Sequence, residues 1–470
     1  MTNNVFLYLL ALVGLLASCK APATVTAVPL AGKSVFSNLE DSLMGAHLGV
    51  MVMEAENGKV LAEHNSHKYF VPASNIKLLS LYAGLKFLPD SLVGLRYYEA
   101  GDTIYAVPTG DPGLLSDDFK NHPVLNWLNE VKKPVVMDAS NWKAERYGRG
   151  WTWSDYQASY QPERSALPVY ENLMPVTFTV KGDSAFYNGQ KQWKVTPDLK
   201  MGAFSGKNEW KLTPESLAYF YTPGARFNRI NRTYAANGYE VNYNGRDTVI
   251  RTEIPYVTNG IKTGVEILRA QLNKTENELK IGNAPNGSRS ILNIQYKILH
   301  SQPLDSLLRP MMHRSDNFYA EQTLLMASNE FLGYMSDRDM IDTLMKTEFK
   351  NMPDKPVWVD GSGLSRYNLL SPADFVWLLN KMRNEFSLER IKAILPTGNT
   401  GTLTNYYTAL NGKIFAKTGS LSGQLALSGY LYAKSGKLLL FSALVNNHNM
   451  DAPKVRRHIE RYIMGVWEGN

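Results

Sequence analysis

The sequence predicts an α+β protein: an antiparallel five-stranded sheet flanked by helices and interrupted by a large β-rich insertion of one or two domains. Three observations carry this. Strand-like runs bracket the chain, at His47–Glu54 and Lys59–His64 near its start and at Lys413–Lys417, Leu425–Ala433 and Lys437–Val445 near its end. Helical periodicity lies between them, in the run that follows Ser74, at Ser290–Leu299 and through Phe318–Phe331. From Tyr97 to Tyr256, short Tyr-, Val- and Thr-rich runs alternate with Gly, Asn, Asp and Pro, which is strand-and-turn texture. At 470 residues the chain exceeds the usual single domain, so two or three are expected.

Taken in order, the chain opens with the apolar run Val5–Leu16. It is too short to span a bilayer, which takes about 20 residues, and fits the core of a signal peptide. The run ends Leu16-Ala17-Ser18-Cys19, and Cys19 is the single cysteine. Leu-Ala-Ser-Cys resembles the bacterial lipoprotein box, which implies a lipid on Cys19 and membrane attachment through it. An ordinary signal peptide with an incidental cysteine is the alternative. No thiol then remains for a disulfide or a Cys-based metal site. Lys20–Ser34 is rich in Ala, Pro and Thr and reads as a tether. The turn Asn57-Gly58 joins the first two strands into a hairpin, and Ser435-Gly436 joins the last two. Pro453–Trp467 reads as an amphipathic closing helix. The net charge of +7 is spread evenly, with no Lys/Arg block, so nucleic-acid binding is not expected.

The chemistry begins at Val71-Pro72-Ala73-Ser74-Asn75-Ile76-Lys77, ahead of the apolar run Leu78–Leu88. Pro72 marks a helix start, and residues three apart share one helix face. Ser74 and Lys77 are therefore neighbours near orphan N–H groups that favour developing negative charge. A serine hydroxyl needs an adjacent base, and a lysine in a dry pocket can lose its proton and serve as one. Ser140-Asn141-Trp142-Lys143 repeats the pattern but lacks a helix behind it.

Two further patterns complete a set: Ser315-Asp316-Asn317 and Lys417-Thr418-Gly419. This trio is the known signature of β-lactamases and penicillin-binding proteins. Ser315 can relay a proton between Lys77 and a leaving amine, while Asn317 can hold Lys77 and a substrate amide. Lys417 and Thr418 can bind a carboxylate, and the charge of Lys417 would lower the Lys77 pKa. Gly419 would let backbone approach substrate, with the N–H groups of Ser74 and Ser420 forming an oxyanion hole. Lys262-Thr263-Gly264 is a second Lys-Thr-Gly, but it precedes Ser315 and lacks the three-strand ending.

With these motifs stand Gly110-Asp111-Pro112-Gly113-Leu114, Gly150-Trp151-Thr152-Trp153-Ser154-Asp155, Ser165-Ala166-Leu167, Asp360-Gly361-Ser362-Gly363-Leu364-Ser365-Arg366 and Gly401-Thr402-Leu403. From about Ser34 to its end the chain resembles the low-molecular-mass class C penicillin-binding proteins, the D-Ala-D-Ala carboxypeptidase/endopeptidase family. The resemblance implies a β-lactamase/transpeptidase-like catalytic domain at 35–96 and 286–470. It further implies an inserted domain at 97–175 and 257–285, and a nested one at 176–256. It implies cleavage of peptidoglycan stem peptides and cross-links through an acyl-enzyme on Ser74, and covalent inhibition by β-lactams. Through Asp155 and Arg366 it implies recognition of a substrate diamino acid, while Ser154 departs from the Asp often found at its position. Neither a cofactor nor a metal is implied, and the expected location is the cell envelope, lipid-anchored and facing the periplasm. Trp151 and Trp153 read as packing residues, and Asp360 and Gly361 as turn formers. A serine β-lactamase or esterase on the same scaffold is an alternative, although the long insertion and the missing Glu-x-x-x-Asn between Asn317 and Lys417 speak against it. A non-catalytic wall-binding or β-lactam-sensing lipoprotein is another.

Overall fold

The structure, a computed structural model, describes residues 43–155, 158–181, 184–189, 209–211, 240–242, 248–284 and 295–470. The signal-peptide run, Cys19 and the tether lie outside the described residues.

Strand β1 (His47–Glu54) turns at Asn57-Gly58 into β2 (Val60–His64), and helix α1 (Lys77–Phe87) follows one 3-10 turn at Ala73–Ile76. Every residue of α1 from Lys77 to Leu85 is buried, as expected of a helix that is apolar all round. Leu88 is extended and Pro89 cannot continue the helix, so α1 ends there. Burial of a leucine such as Leu81 stabilises the fold by roughly 1.5–3 kcal/mol.

The chain then enters a second unit. Strands β3 (Ser91–Ala100) and β4 (Thr103–Pro108), helix α2 (Pro123–Glu130) and β5 (Val135–Met137) lead to β6 (Leu173–Lys181) and β7 (Ser184–Gly189). Short β8 (Glu209–Lys211) and β9 (Glu240–Asn242) pair with each other, and β10 (Thr248–Pro255) returns alongside β6. Helix α3 (Lys262–Leu272), β11 (Leu279–Ile281) and β12 (Lys297–Pro303) close the unit. Its main sheet has the order β11-β5-β4-β3-β12.

Two expectations change here. Leu299 lies in β12, paired with β3, and the expected helix at Ser290–Leu299 does not include it; residues 290–294 lie outside the described residues. Ile298 is 51% exposed on this edge strand, so the run carries no clean alternation by which a strand could be read. Because β3 and β12 belong to the second sheet, the insertion also spans more than 97–285.

Helices α4 (Leu304–His313), α5 (Asn317–Leu332), α6 (Asp337–Lys346), α7 (Pro372–Glu385) and α8 (Leu388–Ile394) lead to β13 (Ile414–Leu421), β14 (Gln424–Tyr432), β15 (Leu438–Asn446) and α9 (Ala452–Gly469). The central sheet runs β13-β14-β15-β1-β2, antiparallel throughout, with Val50 opposite Ala443 and Lys417 opposite Ser428. One face packs chiefly on α7, with α1, α4 and α5 in the same core beyond it; the other is covered by Val455, Ile459, Tyr462 and Ile463 of α9. Under the turn at Ser74, Asn75 Nδ2 donates to Ser428 Oγ at 2.7 Å, which lies 2.8 Å from Ser442 Oγ. These bonds satisfy buried polar groups and pin the turn to the sheet.

Candidate active site

Three segments meet at the edge of β13. The first is the 3-10 turn, whose N-cap is Pro72. Ala73, beside Ser74, has φ of +49°, a left-handed conformation that a non-glycine residue adopts only under restraint. The turn places Ser74 Oγ 3.0 Å from Lys77 Nζ. Lys77 is fully buried, and its Nζ also donates to Asn317 Oδ1 at 2.6 Å and to the Ser362 carbonyl at 2.7 Å.

The second segment is Ser315-Asp316-Asn317. Ser315 has φ of +61°, and Asp316 caps α5 by accepting the Tyr319 N–H at 3.0 Å. The cap fixes Asn317, whose Nδ2 donates to the Tyr160 carbonyl at 3.0 Å. Ser315 Oγ accepts from Lys417 Nζ at 2.8 Å. The serine expected to relay protons from Lys77 is thus anchored to Lys417 in this state.

The third segment is Lys417-Thr418-Gly419-Ser420 on β13. Lys417 is fully buried, and its Nζ also donates to the Thr418 carbonyl at 2.6 Å. Thr418 Oγ1 donates to Thr402 Oγ1 at 2.8 Å, and Arg456 Nη2 donates to Ser420 Oγ at 3.0 Å. A Cβ on Gly419 would come within 2.6 Å of the Pro72 carbonyl oxygen. The strand therefore presses directly on the Ser74 turn, a packing demand on Gly419 that stands beside the expected approach to substrate.

Burial of the ammonium pushes Lys77 down to about 8, against the opposing pull of Asp360, Asp316 and Glu321. Burial also pushes Lys417 well down, with the charge of Lys77 as the second cause. Desolvation is thus what readies Lys77 to lose a proton; the charge of Lys417, expected to lower it, is not among the causes, and the repulsion acts on Lys417 instead.

Sequence reasoning did not assign the loop after Asp360 a place beside Lys77. Asp360 accepts the N–H groups of Gly363 at 2.9 Å and Ser365 at 2.8 Å, Asn368 Nδ2 at 2.7 Å and Trp151 Nε1 at 2.9 Å. These bonds bear out its reading as a turn former and orient the Ser362 carbonyl toward Lys77. Glu321 Oε1 accepts the Ser362 N–H at 2.8 Å, while its Oε2 takes Arg164 Nη1 at 2.9 Å. A backbone carbonyl leaves no mark of residue type in a sequence, although the motif around it was visible.

A cleft of about 330 Å³ opens over Ser74, lined among others by Thr152, Asp155, Tyr160, Asn317 and Arg366, and Ser420 also reaches it. Both diamino-acid candidates therefore face the same space as Ser74. Arg366 is exposed and donates to the Ser422 carbonyl at 3.1 Å. Burial and a hydrogen bond to Asp155 push the Tyr160 phenol up to about 12. Trp151 packs, with the Arg164 guanidinium 5.6 Å from its ring centre, whereas Trp153 is 54% exposed.

The rival motifs lie elsewhere. Ser140 sits in a turn where its N–H donates to Asp138 Oδ1 at 2.9 Å, and Lys143 is exposed. Lys262-Thr263-Gly264 is the first turn of α3, with Thr263 Oγ1 donating to the Val257 carbonyl at 2.7 Å. Among the described residues no three His, Cys, Asp or Glu side chains converge as a metal ion would require.

A family profile described as D-Ala-D-Ala carboxypeptidase 3 (S13) matches residues 33–464. The chain is 26% identical over 452 residues to a D-alanyl-D-alanine carboxypeptidase of Actinomadura sp. (strain R39), covering 88% of this chain and 80% of that relative. It is 21% identical to the D-alanyl-D-alanine carboxypeptidase DacB of Haemophilus influenzae, covering 86% of each. The crystal structure of penicillin binding protein 4 (dacB) from H. influenzae superposes with a TM-score of 0.69 at 18% identity, covering 92% of this chain and 99% of that one. That likeness bears on the fold.

Proposed function

The chain belongs to the D-Ala-D-Ala carboxypeptidase 3 (S13) family, and from that premise we propose how its residues perform the reaction. It is a serine-type D-alanyl-D-alanine carboxypeptidase and a penicillin-binding protein that acts on peptidoglycan. The single observation that carries the proposed mechanism is the buried Lys77 Nζ at 3.0 Å from Ser74 Oγ, fixed by Asn317 and Ser362.

Neutral Lys77 accepts the Ser74 proton as Oγ attacks the carbonyl of the penultimate D-alanine. The N–H groups of Ser74 and Ser420 stabilise the oxyanion. The C–N bond breaks, Ser315 passes a proton to the departing amine and takes one in turn from the Lys77 ammonium, and D-alanine leaves with Lys77 neutral again. Water then attacks the ester, releasing the shortened peptide and restoring Ser74. Asn317 holds Lys77 through its oxygen, and its amide nitrogen exchanges Tyr160 for the substrate carbonyl.

Endopeptidase action follows the same steps when the leaving amine belongs to a cross-linked diamino acid. Asp155 pairs with that residue's ammonium, and Arg366 takes its carboxylate through a bidentate fork. The shared lining of one cleft by Ser74, Asp155 and Arg366 supports this reading. The enzyme is held in the envelope by a lipid on Cys19 and faces the periplasm; the Leu16-Ala17-Ser18-Cys19 box and the Pro/Ala tether support this.

Digestion of purified muropeptides, with products identified by mass, tests the proposal. Loss of one alanine and separation of cross-linked dimers are the expected products. Intact muropeptides combined with rapid turnover of penicillin would favour a β-lactamase instead.

A further inference from the structure

On the carboxypeptidase reading of the Ser74 cleft, we propose that Arg456 is a specificity-determining residue that binds the C-terminal carboxylate of the leaving D-alanine. That carboxylate sits one residue beyond the scissile bond and needs a cation near the end of β13. Lys417 is poorly placed to supply the charge directly. It is fully buried, and its Nζ is engaged by Ser315 Oγ at 2.8 Å and the Thr418 carbonyl at 2.6 Å.

The hydroxyls of Thr418 and Ser420 lie two residues apart on one strand and so point to the same side. With Thr402 and Arg456 they surround one small cavity of about 20 Å³, and Ser420 also lines the cleft over Ser74. Arg456 Nη2 reaches Ser420 Oγ at 3.0 Å, which places the guanidinium at the boundary between cavity and cleft. Arg456 is partly exposed, and among the described residues it makes no ion pair. The two acids nearest to it on and just before its own helix are taken: Asp451 by Lys454 at 3.5 Å, and Glu460 by Arg457 and the Tyr407 N–H, each at 2.5 Å.

A cation without a carboxylate partner among the described residues, bonded to the Ser420 hydroxyl at the cleft end of an edge strand, matches a planar carboxylate. Arg456 would offer a charge-assisted fork, with the Ser420 hydroxyl, which accepts from Arg456, as a further donor. Among the described residues no carboxylate pairs with that fork. A substrate amidated at its C-terminus presents no charge there and gains nothing from Arg456.

The test compares kcat/KM on an N-acylated D-Ala-D-Ala peptide as free acid and as C-terminal amide, using wild type, Arg456→Gln and Arg456→Lys. Wild type should prefer the acid. Arg456→Gln should lower kcat/KM for the acid on the order of 10- to 100-fold and leave the amide within about twofold. Arg456→Lys, which keeps the charge without the fork, should fall between. A general folding defect would reduce both substrates together and leave the acid-to-amide ratio unchanged, so that ratio is decisive. An unchanged ratio in Arg456→Gln, with wild type active on the acid, would overturn the role of Arg456 alone. A wild type that cleaves neither peptide would overturn the carboxypeptidase reading and this inference with it.

Discussion

Glu321 and Ser362 are joined by a hydrogen bond of 2.8 Å from the Ser362 N–H to Glu321 Oε1, and the carbonyl of the same Ser362 receives Lys77 Nζ. A carboxylate on α5 is thereby coupled to the proposed base through one residue. Asn317, four residues earlier on that helix, holds Lys77 directly, so one face of α5 sets both partners.

The rate of Ser74 acylation by penicillin should rise with pH, with a midpoint near 8, as Lys77 loses its proton. With a pKa of 8, roughly a tenth of the lysine is neutral at pH 7. Glu321, an anion near that midpoint, favours the ammonium and so holds the Lys77 pKa up. Glu321→Gln should therefore shift the midpoint to lower pH. Stopped-flow acylation across about pH 6–10 measures this; a midpoint that stays or moves up would contradict the coupling.

Gly363 has φ of +84°, and a Cβ there would lie 2.0 Å from the Ala73 carbonyl oxygen and 3.1 Å from Ser74 N. Gly363→Ala forces the Ser74 turn and the loop apart and strains the backbone. It should cost about 1–3 kcal/mol of stability and slow acylation by at least roughly tenfold. Thermal unfolding and labelling kinetics check both numbers. An unchanged rate would show that the turn tolerates displacement.

Asp155→Ala and Arg366→Ala should impair cleavage of a diaminopimelate-containing peptide while sparing a minimal acyl-D-Ala-D-Ala. Asp155, less exposed than Arg366, should show the larger loss, on the order of 30-fold or more. The exposed Arg366 is screened by solvent and should lose roughly 3- to 30-fold. Equal losses on both peptides would assign these residues to folding or catalysis.

Cys19→Ala should release the protein from membranes without changing its acylation by penicillin. Fractionation of cells carrying the variant reads the outcome. Membrane association that survives the substitution would refute the lipid as anchor.

The residues that the structure gathers around Ser74 were legible because their side chains carry the motif. Ser74 with Lys77, Ser315 with Asn317, and Lys417 with Thr418 each show a residue type at a fixed spacing. The long helix through Phe318–Phe331 and the three closing strands were legible from apolar patterning over long runs. Leu299 was not, because β12 is an exposed edge strand held by pairing with β3. The carbonyl of Ser362 and the contact of Gly419 with Pro72 were hidden for a different reason. Both are backbone relationships between segments far apart in the chain, and no side-chain pattern records them.

The most direct measurement is the site of covalent penicillin attachment, found by mass spectrometry of peptides from the labelled protein. The account predicts one acylated residue, Ser74, in wild type. It predicts complete loss of label and of peptide cleavage in Ser74→Ala, and no change in Ser140→Ala. Acylation at Ser140, or label that persists in Ser74→Ala, would contradict it.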